Sequence, residues 1–422
     1  MNSDYIDNEI FDYNFYNRVD VQNIILKYGS PLYIYDEKTL RKSCREMKNL
    51  LRHPWFVANY SIKANSNVEL LKIVRDEGLN ADAMSPGEIY VLLKAGFRPS
   101  QIFYVGNNVS VDEMKYAIYN GVLVSIDSIS QLETYGQINR GGKVSLRFNP
   151  GVGAGHHEKV VTAGSNTKFG IDSAFIENVK EIVGKYSLKV VGVNQHIGSL
   201  FLEGKPYIDG VKSLLSIAAE FNGLEFVDLG GGFGVPYRKR DNQSRLDLFS
   251  ISQELEKIVI EWMKAYGREV QIKTEPGRYV VAESGVLLGT IHSVKTNHNK
   301  RYIGTDIGFN VLVRPAMYDS YHEIVVFRNG KPLTGEKRSI ATVVGNICET
   351  GDILAKDREL PDDLQEGDIV AVLDAGAYGY SMCSNYNLRL RPAEVLICED
   401  GSDKLIRRRD TLEDLIRGYE VI

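Results

Sequence analysis

Trp55-Phe56-Val57-Ala58-Asn59-Tyr60-Ser61-Ile62-Lys63-Ala64-Asn65-Ser66-Asn67 passes from an apolar run to a lysine and then to a polar cluster. The run has the composition of a buried strand, and the Asn/Ser cluster that of the loop leaving it. A lysine held at the end of a buried strand can act as an amine nucleophile and bond an aldehyde. Strand-end lysines more often snorkel to water, so the surroundings must decide.

Seven more apolar runs follow, at residues 80–83, 102–105, 123–126, 144–148, 190–196, 226–229 and 272–275. Between them, residues 68–77, 86–95 and 206–221 space their apolar side chains as helices do. Eight strands alternating with helices predict an α/β unit, a parallel (β/α)8 barrel of the TIM type. A doubly wound open sheet is the competing architecture and usually needs fewer strands.

A barrel of this kind places its chemistry where the strands end. Here Lys63 follows strand 1, Asp82 ends strand 2, Arg147 ends strand 5 and His196 ends strand 6. Strand 7 runs into Asp228-Leu229-Gly230-Gly231-Gly232-Phe233-Gly234, and strand 8 into Glu275-Pro276-Gly277-Arg278. A tight turn is the plainer alternative for three glycines. After strand 7, with an arginine after strand 8, they read as a phosphate loop whose N–H groups approach an anion. A lysine, a phosphate loop and an acid at one barrel mouth describe pyridoxal 5'-phosphate, with Glu275 as partner of the pyridine nitrogen.

From about Val280 the runs turn β-like: 286–294, 303–306, 323–327, 340–344, 369–373, 394–398 and 404–407, separated by Gly, Asn, Asp and Pro. The expected organisation is a cofactor-binding barrel at 36–280 and a C-terminal β domain of β-sandwich or Greek-key type at 281–422. An N-terminal segment, 1–35, adds Pro31-Leu32-Tyr33-Ile34-Tyr35 to the β domain.

A chain of 422 residues is long for one core, which agrees with two domains. The net charge of −5 argues against a nucleic-acid partner, and Arg407-Arg408-Arg409 reads as a solvated strand end. No apolar stretch reaches membrane-spanning length, so no membrane partner is expected. Cys44, Cys348, Cys383 and Cys398 have no CxxC spacing, and the polar start at Met1 has no signal-like apolar run, which together suggest a cytoplasmic enzyme. His156-His157, in the glycine-rich segment 151–157, could suggest a metal. Adjacent histidines do not converge easily on one ion, so no metal is expected and the segment reads as a mobile loop.

From about residue 30 to 415 the chain resembles the alanine-racemase-like pyridoxal phosphate enzymes, and among them the barrel-type amino-acid decarboxylases. The motifs that carry the likeness are Tyr60-Ser61-Ile62-Lys63-Ala64-Asn65, His196-Ile197-Gly198-Ser199, the glycine loop and Glu275-Pro276-Gly277-Arg278. The second half adds Arg314-Pro315-Ala316-Met317-Tyr318, Cys348-Glu349-Thr350-Gly351-Asp352 and Asp374-Ala375-Gly376-Ala377-Tyr378-Gly379. The resemblance implies that Lys63 carries the cofactor and His196 stacks on its ring. Asp82, Arg147, Ser199 and Tyr378 would help hold ring and phosphate, beside Gly230, Gly231, Gly232, Glu275, Gly277 and Arg278. It also implies a homodimer with shared active sites, in which Cys348 from the neighbour returns a proton to the substrate carbon.

The substrate so implied has an amino-carboxylate group at each end. Arg278, Arg314 and Tyr318 resemble the clamp on its remote carboxylate, with Tyr378 nearby, and Glu349 resembles the partner of its remote ammonium. A planar guanidinium suits a carboxylate bidentately. Asn194-Gln195 and residues 387–392 depart from the commoner family wording and leave room for a related substrate, such as carboxynorspermidine or arginine. A racemase would want an arginine near the pyridine nitrogen, where Glu275 stands. A non-catalytic carrier would leave the β domain without a purpose.

Overall fold

A computed structural model describes residues 19–151, 168–334 and 337–420. His156 and His157 lie outside them. The chain divides into two units. One takes the described residues of Met1–Leu40, Pro236–Gln243 and Val281–Ile422, the other Arg41–Val235 and Ser244–Val280.

The first described strand, β1 (Leu32–Asp36), belongs to the β unit. In the barrel unit, β2 (Phe56–Ser61), β3 (Asn80–Ala83), β4 (Ile102–Tyr104), β5 (Leu123–Ile126) and β6 (Lys143–Asn149) pair in parallel succession. A two-residue β7 (Ile171–Asp172) joins β6 from outside the ring. The ring continues through β8 (Lys189–Asn194), β9 (Phe226–Asp228) and β10 (Gln271–Thr274), and β10 pairs with β2 to close it. The expected eight-stranded parallel barrel is therefore present.

The regular punctuation of the sequence has a local cause. After β2, β3, β4 and β5 the helix starts are capped by Asn67, Ser85, Ser110 and Ser128, whose side-chain oxygens accept N–H groups of the first turn. Such caps contribute about 1 kcal/mol each and fix where each βα loop stops.

In the β unit, β11 (Gly285–Asn297), β12 (Lys300–Thr305), β13 (Ile324–Arg328), β14 (Lys331–Pro332), β15 (Arg338–Val344), β16 (Ile353–Pro361), β17 (Ile369–Val372), β18 (Ala393–Ile397) and β19 (Asp403–Arg407) join β1 in one ten-stranded sheet. β1 lies inside it, antiparallel to β11 and parallel to β18. Alternate residues of these strands, Leu32 and Ile34, Val286 and Leu288, Val395 and Ile397, face one apolar core. Val21 and Ile24 of the helix Val21–Tyr28 cover that face. On the other face Tyr33 and Tyr35 stack with ring centres 6.3 Å apart. Both faces of β1 are buried, which is why it reads as an unbroken apolar run.

Candidate active site

Lys63 sits in a single 3-10 turn, Ile62–Ala64, directly after β2. The turn is braced from both sides. Tyr60 donates its hydroxyl to the Asn65 carbonyl at 3.0 Å, and the Asn65 side chain accepts the N–H of Asn67, the cap of the next helix. Gly277 admits the neighbouring loop, since a Cβ there would crowd the Ser61 and Ala64 side chains.

Around this lysine the strand ends collect buried acids. Asp82 is fully buried and accepts the Ser61 hydroxyl at 2.9 Å. Burial pushes its carboxyl up to about 7, against the pull of Lys63 and of that hydrogen bond. Glu275 is held well above the ordinary carboxylate range by burial and by Asp228 and Asp82, with Lys63 and Arg147 opposing. Arg147 lies within β6, its guanidinium 4.7 Å over the Phe169 ring. It is 6% exposed, and burial lowers it against the pull of Glu275, Asp127 and Asp82.

His196 has a defined proton arrangement. Its Nδ1 accepts the Gly231 N–H at 3.3 Å, so Nδ1 carries a lone pair. Burial, Lys63 and Arg147 all push the ring well below its ordinary value. The ring is therefore neutral with its proton on Nε2. The 3.8 Å approach of Nδ1 to Glu275 is proximity rather than an ion pair.

The glycine loop works differently from a simple anion cradle. Gly230 donates its N–H to Asp228 at 3.0 Å and Gly231 donates to His196, so two of the three N–H groups are turned inward. Gly230 and Gly232 have φ of +76° and +107°, where a side chain is strained. A Cβ on Gly230, Gly231 or Gly232 would overlap the carbonyl oxygens of Gln195, Glu275 and Gly198. The glycines thus let the loops after β8, β9 and β10 close on one another. Arg278, 6% exposed, donates to Ser199 at 2.9 Å across the same rim.

Sequence reasoning passed over Asp228 and Asp127. Asp228 caps the glycine turn, accepts from Asn59 at 3.3 Å and is pushed up by burial to about 6. Asp127, also raised by burial, is pulled the other way by Arg147. Both follow an apolar run directly, the signal that singled out Asp82.

The β unit holds the remaining candidates. Arg314 opens the short helix Arg314–Tyr318 and is 2% exposed, bonded to Tyr237, His322 and Ser320. The exposed Cys348 donates its N–H to the Asn387 side chain at 2.8 Å. Asp352, at the end of the same motif, accepts the N–H groups of Ile347 and Phe309, both at 2.7 Å. Glu349 accepts the Tyr386 hydroxyl at 2.6 Å. Tyr378 has φ +57°, an unusual conformation for an aromatic residue and one that clusters at functional sites.

The barrel mouth fits pyridoxal phosphate. Asp82 Oδ1 and Glu275 Oε1 are buried with no hydrogen-bond partner among the described residues, a costly state unless a donor arrives. A protonated pyridine nitrogen is such a donor, and its charge would draw Glu275 into the ionised form. Lys63, in the turn directly after β2, would supply the amine for the aldehyde.

Residues 37–282 match the family described as pyridoxal-dependent decarboxylase, pyridoxal binding domain. The diaminopimelate decarboxylase of Methanothermobacter thermautotrophicus is 40% identical, covering 95% of this chain and 94% of its own. That of Archaeoglobus fulgidus is 36% identical, with 94% of each chain covered. Among solved structures, diaminopimelate decarboxylase from Helicobacter pylori complexed with L-lysine superposes with a TM-score of 0.85 at 32% identity, covering 94% of this chain and 98% of that one. A lysine/ornithine decarboxylase from Vibrio vulnificus, at 18% identity and a TM-score of 0.76 over 90% of this chain and 98% of its own, shares the fold alone. The cofactor is pyridoxal 5'-phosphate, and the chain belongs to the pyridoxal-dependent decarboxylases, within the diaminopimelate decarboxylase family.

Proposed function

We propose that this enzyme decarboxylates meso-2,6-diaminopimelate to L-lysine and carbon dioxide. The carrying observation is the 40% identity to a diaminopimelate decarboxylase over 95% of the chain, since that match spans both units.

On this reading Lys63 holds the cofactor, Glu275 partners the pyridine nitrogen, and His196 lies against the ring. Asp82, Arg147, Ser199, the glycine loop and Tyr378 hold the ring and phosphate. When bound, pyridoxal phosphate supplies the electron sink for the pair left as the carboxylate departs. The chain's own work is orientation and proton supply. Glu275, ionised when it faces the protonated ring nitrogen, holds that proton in place, and Cys348 returns a proton to the substrate's α-carbon. Arg278, Arg314 and Tyr318 take the remote carboxylate and Glu349 the remote ammonium.

Buried donors left without an acceptor are costly, so lysine, which lacks the remote carboxylate, should be rejected by roughly 10⁴-fold in kcat/KM. Carbon dioxide release from meso-diaminopimelate, lysine, arginine and carboxynorspermidine tests this. Faster release from any of the other three would sink the substrate assignment.

The reading includes a cytoplasmic homodimer with shared sites, in a compartment where the four free thiols stay reduced. Mixing inactive Lys63→Ala with inactive Cys348→Ala should restore activity through hybrid dimers. No recovery after proven subunit exchange would count against shared sites.

A further inference from the structure

Arg314 is among the largest buried side chains of the fold, and its guanidinium is held by a histidine whose proton position can be deduced. Arg314 Nη1 lies 2.8 Å from His322 Nε2 and 3.2 Å from the Tyr237 hydroxyl. Nη2 lies 3.4 Å from Ser320 Oγ. On its other side His322 places Nδ1 2.8 Å from the Leu373 carbonyl oxygen. A guanidinium only donates and a carbonyl only accepts. Both contacts are satisfied by one form of the ring, neutral with hydrogen on Nδ1 and a lone pair on Nε2. A proton on Nε2 would aim an N–H at the guanidinium.

The backbone explains why the ring stays there. His322 precedes β13 and Leu373 follows β17, two strands that pair at Ile324 and Val372. Leu373 donates its N–H to the Glu323 carbonyl at 3.0 Å, which continues the ladder to the residue beside His322. The imidazole therefore transfers the register of the sheet to the guanidinium. The edge-on Tyr237 ring, 5.2 Å from the imidazole and 4.8 Å below the guanidinium, packs against both. Both hydrogens of Nη1 are thereby directed, and the guanidinium plane cannot turn without losing the His322 bond.

We infer that His322, as its neutral Nδ1–H tautomer, is a positioning residue that aims Arg314 and so sets the affinity for the substrate's remote carboxylate. The inference rests on the reading that Arg314 binds that carboxylate.

Two amide substitutions separate the bonds. In His322→Gln the amide oxygen can replace Nε2 as acceptor for Arg314. In His322→Asn the amide N–H can replace Nδ1 toward Leu373, and the acceptor is lost. His322→Asn should raise KM for meso-diaminopimelate roughly tenfold or more, the scale of one charge-assisted bond. His322→Gln should recover most of that loss, with kcat and the visible cofactor band held in both. Equal KM values in the two variants, or a loss confined to kcat, would overturn the proposal. Arg314→Lys in the same assay tests the underlying reading. If its KM is unchanged, the carboxylate role of Arg314 fails; if its KM rises while that of His322→Asn does not, only the role of His322 fails. If either amide variant does not fold, ¹⁵N imidazole shifts of the wild-type holoenzyme decide. They should show one histidine as a persistent neutral Nδ1–H tautomer lost in the other His322 variant or in His322→Phe, and absence of any such tautomer overturns the proposal.

Discussion

Lys239, in the β unit, reaches Asp374 at 2.8 Å and Glu283 at 3.5 Å, whereas at the barrel mouth Asp82 and Glu275 each keep a buried oxygen with no partner among the described residues. Both regions bury acids, and in both burial raises them: Asp374 goes up to about 6 and Asp82 up to about 7. The β unit adds further pairs, Arg240 with Glu323, Arg328 with Asp368 and Arg407 with Glu394. One region neutralises its charges internally and gains a fixed geometry. The other leaves acceptors open, a state that makes sense where a cofactor's protonated ring nitrogen would donate.

The largest expected effect is at the open region. Lys63→Ala should lose turnover below detection together with the visible band of the lysine-bound cofactor. A variant that retains the same band would remove Lys63 as anchor. Next comes Cys348→Ala, which should keep the band and lose about 10²–10⁴-fold in kcat, the range for a positioned proton donor. Undiminished turnover would exclude Cys348 from the proton step.

The contrast itself is tested by stability. Lys239→Met leaves Asp374 and Glu283 buried beside an apolar chain and should cost about 3–5 kcal/mol in denaturant unfolding. An effect too small to measure would mean that the β unit does not depend on its internal pairing. The smallest effect is a slope. Asp82 in the cofactor-free fold has its pKa raised to about 7, above the ~4 of an unfolded aspartate. Its contribution to stability is fully present below about pH 4 and is lost as pH rises through 7. Asp82→Asn should therefore flatten the pH dependence of stability across that window, and an unaltered slope would show that Asp82 does not titrate there.

The barrel was legible because parallel strands buried on both faces read as short apolar runs, and because segments between them keep helical spacing of apolar residues. Lys63, Asp82, His196 and Glu275 stood out as polar residues closing such runs. β16 was missed because Lys356 and Asp357 break its middle, where the strand is exposed. Pro236–Gln243 carries no periodicity to show that it packs with the β unit. The inward direction of the Gly230 and Gly231 N–H groups needs coordinates, since a triple glycine reads the same whether its amides face an anion or an acid. The His322–Arg314 bond joins residues eight apart with no helical or strand spacing to suggest it.

The interior position of β1 constrains the order of assembly. Leu32–Asp36 leaves the ribosome long before one of its two neighbours, β18, which is Ala393–Ile397. The barrel ring closes once β10 has been made, while β1 waits with an open edge until β18 emerges. A nascent chain cut short before residue 393 would hold a complete cofactor ring and an unfinished sheet, and its exposed β1 would be the natural place for such fragments to aggregate.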